Sequence, residues 1–253
     1  MEFLVNKEEE IKIGNLIVGE NPIIIGGPCT VNTKEDLIKT AIKLKEIGVN
    51  VLRGGIYKPR TNPYSFQGLG KVGLEYLKEA KRITGLPIIT EILSIDEYDE
   101  EIDIIQIGSR NMANYDLLKK LGKIDKPILL KRGMASTYDE WIMAAEYIKK
   151  SGNHKVILCE RGIRTFEPHT RNTLDIQAIP YIKEHTKLKI FVDPSHACGN
   201  RYMIESISKA SLAAGCDGLI IECEINPDNA ICDKEQTIDI ETMKRIIDYG
   251  ERI

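Results

Sequence analysis

No stretch of this chain approaches the roughly 18 consecutive apolar residues of a membrane-spanning helix, so no such helix is expected. The first residues, Met1 to Glu10, are acidic and lack an apolar run of signal-peptide length. None of the six cysteines (Cys29, Cys159, Cys198, Cys216, Cys223 and Cys232) belongs to a Cys-x-x-Cys pair. A chain of this size with no secretory leader does not need disulfide staples, so reduced thiols and a cytoplasmic location are expected. Positive charge is not in excess: the net charge is −3, which leaves no global field to recruit nucleic acid or an anionic membrane. Any bound anion must then be held by a local cluster of cations. Low-complexity tracts, fixed-period repeats and linkers are also missing, and residues 1–253 are expected to form one domain.

What is present is an alternation of short, β-rich apolar runs with longer amphipathic segments, the mark of a parallel sheet with helices outside it. The runs cover residues 22–26, 50–53, 87–91, 102–107, 127–131, 156–159, 189–193 and 218–222. Helical patterns follow them at 34–47, 74–83, 94–98, 114–121, 138–150, 174–185, 203–214 and 240–253. Eight such units in 253 residues predict a TIM (β/α)₈ barrel. No Gly-x-Gly-x-x-Gly follows the first run to favour an open dinucleotide-binding sheet. Residues 10–18 read as a β-hairpin turning at Gly14-Asn15, so that residues 1–20 become an N-terminal extension capping the barrel floor.

Chemistry in such barrels sits at the C-terminal ends of the strands. Reading only those positions gives Cys29, then Arg53 with Lys58 and Arg60, then Glu91, Ser109 and Arg110, and finally Lys131, Arg161, His196 and Glu222. A lone Lys or Arg is usually a solvated surface charge, but charges converging on one mouth repel and lose hydration, which stability alone does not favour. Six cations (Arg53, Lys58, Arg60, Arg110, Lys131, Arg161) suit ligands carrying phosphate and carboxylate, which the Arg fork grips in pairs of hydrogen bonds. Cys29, His196, Glu222 and Asp233 form a mixed sulfur, nitrogen and oxygen set compatible with Mn, Fe, Co or Zn. Singly, each has a plainer role: a buried filler thiol, a structural histidine, a turn-capping aspartate. The loop from Lys58 to Gly68 holds two prolines and follows a strand, where barrel enzymes keep substrate loops.

These residues resemble a known family. Gly26-Gly-Pro-Cys29, Arg53-Gly-Gly-Ile-Tyr-Lys-Pro-Arg-Thr61, Pro63-Tyr-Ser-Phe-Gln-Gly68 and Ile107-Gly-Ser-Arg-Asn111 are similar to motifs of the 3-deoxy-D-arabino-heptulosonate 7-phosphate synthases. So are Leu130-Lys-Arg-Gly133, Cys159-Glu-Arg-Gly-Ile-Arg-Thr-Phe166 and Asp193-Pro-Ser-His196, and the resemblance runs from about residue 22 to 245. It implies a transferase of the shikimate pathway that condenses phosphoenolpyruvate with erythrose 4-phosphate. It further implies one divalent metal on Cys29, His196, Glu222 and Asp233. Phosphoenolpyruvate would lie on Arg110, Lys131 and Arg161, with Arg53, Lys58 and Ser109 alongside. Arg60 and Thr61 would anchor the sugar phosphate, and Glu91 would sit near the reacting carbons. Lys58 would donate a proton to the aldehyde oxygen, with a depressed pKa among cationic neighbours. The family also implies a homotetramer or homodimer.

Four places depart from the family pattern: Asn62, Ala113, Ala197-Cys198 and Glu224. The neighbouring family of 3-deoxy-D-manno-octulosonate 8-phosphate synthases, which use arabinose 5-phosphate, carries a Lys-Ala-Asn-Arg loop in place of Lys58-Pro-Arg-Thr61. Its metal-independent members have Asn at the position of Cys29. A non-catalytic barrel that only binds a phosphorylated metabolite is the other alternative, and it would bind without releasing phosphate. Only about 20 residues precede the first barrel strand, so no appended feedback domain and little inhibition by phenylalanine or tyrosine are expected.

Overall fold

The computed structural model describes residues 3–252; Met1, Glu2 and Ile253, at the ends of the expected extension and closing helix, lie outside the described residues. Eight parallel strands close into a barrel in chain order: β3 (Ile23–Gly27), β4 (Val51–Arg53), β5 (Ile88–Glu91), β6 (Ile104–Ile107), β7 (Ile128–Lys131), β8 (Val156–Glu160), β9 (Lys189–Val192) and β10 (Gly218–Glu222). The ring closes where β10 pairs with β3, with Glu222 opposite Gly27. Isoleucine and valine dominate these strands because they are buried on both faces, so branched side chains pack inside and outside alike. The pleat sorts them. Ile25, Val51, Ile89, Leu129, Ile157 and Ile220 fill the barrel interior, whereas Ile24, Leu52, Ile88, Leu130, Leu158 and Leu219 pack outward.

The expected hairpin is there: β1 (Lys12–Ile13) pairs antiparallel with β2 (Leu16–Ile17). Its Ile11, Ile13 and Val18 belong to the interior cluster, sealing the end of the barrel opposite the strand C-termini. Outside lie α1 (Lys34–Glu46), α2 (Lys71–Thr84), α3 (Tyr115–Leu121), α4 (Tyr138–Lys150), α5 (Ala178–His185), α6 (Pro194–Cys198), α7 (Arg201–Ala213) and α8 (Ile240–Gly250). Helix α4 starts on a capping box between Thr137 and Glu140, and its buried Trp141 donates its indole N–H to the Leu130 carbonyl at 3.1 Å, tying α4 to β7.

Two helical expectations shrink. Residues 94–98 form only a single 3-10 turn, Ile95–Glu97, because the Glu97 carboxylate accepts the Leu93 N–H at 2.6 Å and curls the segment back toward β6. The helix expected over 174–185 begins at Ala178. Ahead of it Thr173 exchanges two backbone hydrogen bonds with Ile163, and Asp175 accepts from Arg132 at 2.9 Å and from the Tyr138 hydroxyl at 2.6 Å. Both contacts hold the chain out of the helical path. The short α6 has no counterpart among the expected elements, and it sits at the site described below.

If the hairpin is the floor of the core, Ile13→Ala should lower unfolding free energy by about 2–5 kcal/mol, the range for a buried aliphatic truncation. A denaturant melt of the variant that moves by less than about 0.5 kcal/mol, the range of ordinary surface changes, would show that the hairpin only rests on the barrel.

Candidate active site at the strand C-termini

The interior parity that stacks isoleucines in the barrel also places charge at its mouth. One pleat beyond Val51, Ile89, Leu129 and Ile220 come Arg53, Glu91, Lys131 and Glu222; one beyond Cys159 and Phe191 come Arg161 and Asp193. Arg53, Lys131, Arg161, Asp193 and Glu222 are all buried. On β3 the same position is Gly27, at φ 147°, where a Cβ would lie 2.1 Å from the Arg53 carbonyl oxygen. No side chain fits there, and the backbone can turn to present Cys29.

Cys29, His196, Glu222 and Asp233 converge, with one donor atom of each lying within 4.8 Å of the others. Asp193 organises this cluster. It caps α6, its Oδ1 accepting the His196 backbone N–H at 2.9 Å, and its Oδ2 lies 2.7 Å from His196 Nδ1. Asp193 Oδ2 also pairs with Lys131 at 2.5 Å, and its carboxyl is driven well below the usual range: burial opposes ionisation, but His196 and Lys131 outweigh it. Burial lowers the His196 pKa to about 4 despite Asp193 and Glu222, so the ring is neutral near pH 7. With its proton on Nδ1 toward Asp193, Nε2 presents a lone pair 3.3 Å from Glu222 Oε1.

The carboxylates are held just as firmly. Glu222 accepts from Gln236 Nε2 at 2.6 Å and pairs with Arg53 at 3.3 Å. Asp233, the one described non-glycine residue in the left-handed region (φ 51°), lies 3.3 Å from Lys58, 3.2 Å from Arg171 and 3.1 Å from Cys29 Sγ. Burial resists ionisation of both acids, yet Arg53 and Lys58 at Glu222, and Lys58 and Arg171 at Asp233, keep both pKa values low. Two carboxylates, an imidazole lone pair and a thiol sulfur thus face one another with no proton between Nε2 and Glu222. A divalent cation resolves that conflict, and the donor set suits the borderline metals Mn, Fe, Co and Zn. Burial and Glu222 push the Cys29 thiol far up, a penalty that a bound cation reverses.

Lys58 departs from expectation. Its ammonium touches Cys29 Sγ and faces Asp233, and although burial works against the charge, Cys29, Glu222 and Asp233 raise the pKa rather than depress it. Apart from the Cys29 sulfur, the groups that govern its charge are the carboxylates of Asp233 and Glu222, not cations.

Around the cluster a cavity is lined by eight cations (Arg53, Lys58, Arg60, Arg110, Lys131, Arg161, Arg164 and Arg171) and by only two carboxylates, Glu91 and Asp233. Arg53 Nε and Nη1 are buried with no partner among the described residues. The Arg161 guanidinium is pushed down by burial, with Arg171 adding repulsion. Such a surface calls for anionic ligands. Glu91, raised by burial against the pull of Lys131 and Lys58, accepts from Gln106 at 3.2 Å. Ser109 lines the cavity too, whereas Thr61 is exposed and outside its lining. Asp193, Gln236, Arg164 and Arg171 were not among the residues singled out from sequence, although Asp193 opens the Asp193-Pro-Ser-His196 motif and Arg164 lies within the Cys159–Phe166 motif, both at strand ends. Asn62 caps its own loop by accepting the Tyr64 N–H at 3.0 Å, and Ala113 is exposed. Ala197 and Cys198 are buried in α6, and Glu224 faces a separate hollow beside α1.

The model of the DAHP synthetase I family matches residues 2–252. The chain belongs to this family. Within it, the chain is 51% identical over 247 residues to a phospho-2-dehydro-3-deoxyheptonate aldolase of Thermotoga maritima, covering 96% of this chain and 73% of that one. It is 27% identical over 261 residues to a 2-dehydro-3-deoxyphosphooctonate aldolase of Geobacter sulfurreducens, covering 94% and 95%. A crystal structure of phospho-2-dehydro-3-deoxyheptonate aldolase from Thermotoga maritima superimposes with a TM-score of 0.93 at 48% identity, over 97% of this chain and 73% of that one. A truncated form of the 3-deoxy-D-arabino-heptulosonate 7-phosphate synthase of the same organism gives 0.90 at 44% identity, over 97% and 92%.

Because Asp193 fixes the tautomer and orientation of His196, Asp193→Asn in this DAHP synthetase family member should weaken divalent metal binding by about 10–100-fold. Competition against a chromophoric chelator measures this directly; an unchanged affinity would contradict the role assigned to Asp193.

Proposed function

We propose that the chain condenses phosphoenolpyruvate with erythrose 4-phosphate and water to give 3-deoxy-D-arabino-heptulosonate 7-phosphate and inorganic phosphate, the first step of the shikimate pathway. The observation that carries this reading is the meeting, in one cavity, of a four-donor metal cluster, a lysine ammonium and an excess of guanidinium forks. The choice of sugar is supported by the Lys58-Pro-Arg-Thr61 loop and by the higher identity to the heptonate enzyme than to the octonate one.

The residues divide the work. Arg110, Lys131 and Arg161, with Arg53 and Ser109, hold the phosphate and carboxylate of phosphoenolpyruvate, matching its charge. Arg60, which lines the cavity, holds the sugar phosphate at the rim, and Thr61 would join it only from the exposed loop beside it. Fixing two polyanions side by side removes the entropy and repulsion that oppose their encounter. Cys29, His196, Glu222 and Asp233 would hold a divalent ion, which would supply Lewis acidity for the carbonyl chemistry. The enol carbon then bonds to the aldehyde carbon, and Lys58 gives its proton to the oxygen that becomes a hydroxyl. An ammonium can do so although its pKa is high, because the developing alkoxide is more basic still. Water adds to the former enol carbon, and phosphate departs from the hemiketal. Glu91, whose pKa burial raises against the pull of Lys131 and Lys58, is the group we assign to take the proton that this water loses.

We place this single catalytic domain in the cytoplasm, as a homotetramer or homodimer that binds neither nucleic acid nor membrane. Six unpaired cysteines, the absence of any described helix long and apolar enough to cross a membrane, and the exposed Tyr64, Phe166 and Tyr202 support this.

Phosphate release should be followed with erythrose 4-phosphate or arabinose 5-phosphate, each with and without added metal. Rapid release is expected only with erythrose 4-phosphate and metal, and chelation should abolish it. Equal turnover with arabinose 5-phosphate would overturn the substrate assignment, and undiminished turnover in rigorously metal-free protein would overturn the role of the metal.

A further inference from the structure

Loop 58–68 is latched to the segment before α8 by two neighbouring rungs. Lys58 reaches Asp233, and Arg60, two residues on, places Nη2 2.5 Å from the sulfur of Cys232, the residue just before Asp233. Arg60 Nε donates to the Phe66 carbonyl at 3.1 Å, so its lateral edge, Nε and Nη2, is held between its own loop and Cys232. That leaves Nη1 and the second Nη2 hydrogen for the cavity that Arg60 lines. Pro59 stiffens the backbone between the two rungs, and Cys232 is only 5% exposed, so the sulfur is a fixed point.

We infer that Cys232 is a positioning residue for sugar-phosphate binding, acting by holding the lateral edge of Arg60 so that its terminal edge meets the phosphate. This rests on the assignment of Arg60 to that phosphate in the proposed function. The choice of sulfur has a physical reason. A carboxylate on that edge would neutralise the guanidinium and compete with the incoming phosphate. A thiol is a weak acceptor that orients the fork while leaving its charge for the ligand. The rung also keeps Arg60 from swinging into solvent, where its many rotamers would have to be lost again on binding.

The test uses the metal-loaded protein and four variants: Cys232→Ala, Cys232→Ser, Arg60→Ala and the double variant Cys232→Ala/Arg60→Ala. KM is measured separately for erythrose 4-phosphate and phosphoenolpyruvate, and metal affinity by chelator competition. Cys232→Ala should raise the KM for erythrose 4-phosphate about tenfold, with kcat, the KM for phosphoenolpyruvate and metal affinity unchanged. Cys232→Ser, which keeps an acceptor, should recover most of the loss, and Cys232→Ala should add nothing in the Arg60→Ala background. A raised KM in Arg60→Ala with an unchanged one in Cys232→Ala overturns the inference alone. Loss of metal affinity in Cys232→Ala, with both KM values raised, also overturns it, since Cys232 would then be supporting Asp233. An unchanged KM for erythrose 4-phosphate in Arg60→Ala overturns the assignment of Arg60, and the inference with it.

Discussion

Four potential metal ligands crowded together, with no proton between His196 Nε2 and Glu222, are the constraint on which the rest of this barrel's mouth depends. Neutral His196 turns Nε2 toward Glu222 at 3.3 Å because Asp193 holds the opposite nitrogen at 2.7 Å, and Cys29 and Asp233 close on the same point. Burying two carboxylates this close is costly unless a cation joins them. The protein supplies part of the compensation itself, through Arg53 and Gln236 on Glu222 and through Lys58 and Arg171 on Asp233. These contacts hold the four ligand residues together and keep Lys58 beside Cys29 and Asp233.

The same compensation creates the second half of the site. Once a divalent ion takes over the anionic cluster, the eight cations lining the cavity are left in excess, with two carboxylates among them. Polyanionic substrates then become counterions for the enzyme as much as reactants. Pleating explains how a hydrophobic barrel can carry such a load. Apolar side chains such as Ile25, Val51, Ile89, Leu129, Ile157, Phe191 and Ile220 point inward at the lower levels, and Arg53, Glu91, Lys131, Arg161, Asp193 and Glu222 bring a charge inward above six of the strands, whereas β3 has Gly27 and β6 has Gln106 there. The hairpin with Ile11, Ile13 and Val18 closes the other end, so the charged layer rests on a filled core rather than on a channel.

Much of this was legible in the sequence because it depends on local periodicity. Runs such as Ile23-Ile-Ile and Ile104-Ile belong to strands buried on both faces, and Cys29, Arg53, Glu91, Lys131 and Glu222 stand out as polar residues at their ends. The hairpin is marked by Gly14-Asn15. What local pattern does not carry is the partner of each charge. Lys131 meets Asp193 across 62 positions, and Lys58 meets Asp233 across 175, which reverses the expected direction of the Lys58 pKa. Gln236 ends the 3-10 turn Lys234–Gln236 and Arg171 lies on a loop, so neither has a strand register to point it inward, and Thr61 is exposed and outside the cavity lining. The shortened α5 likewise reflects a bond from Arg132 to Asp175 that spans 43 positions.

The central claim is that Cys29, His196, Glu222 and Asp233 together hold one divalent cation through a sulfur–metal bond. Titration of the metal-free protein with Co²⁺, followed by its thiolate-to-metal charge-transfer absorption, tests this most directly. The account predicts a band that saturates at one ion per chain and disappears in Cys29→Ser. Saturation without any charge-transfer band, or a band that survives Cys29→Ser unchanged, would contradict it.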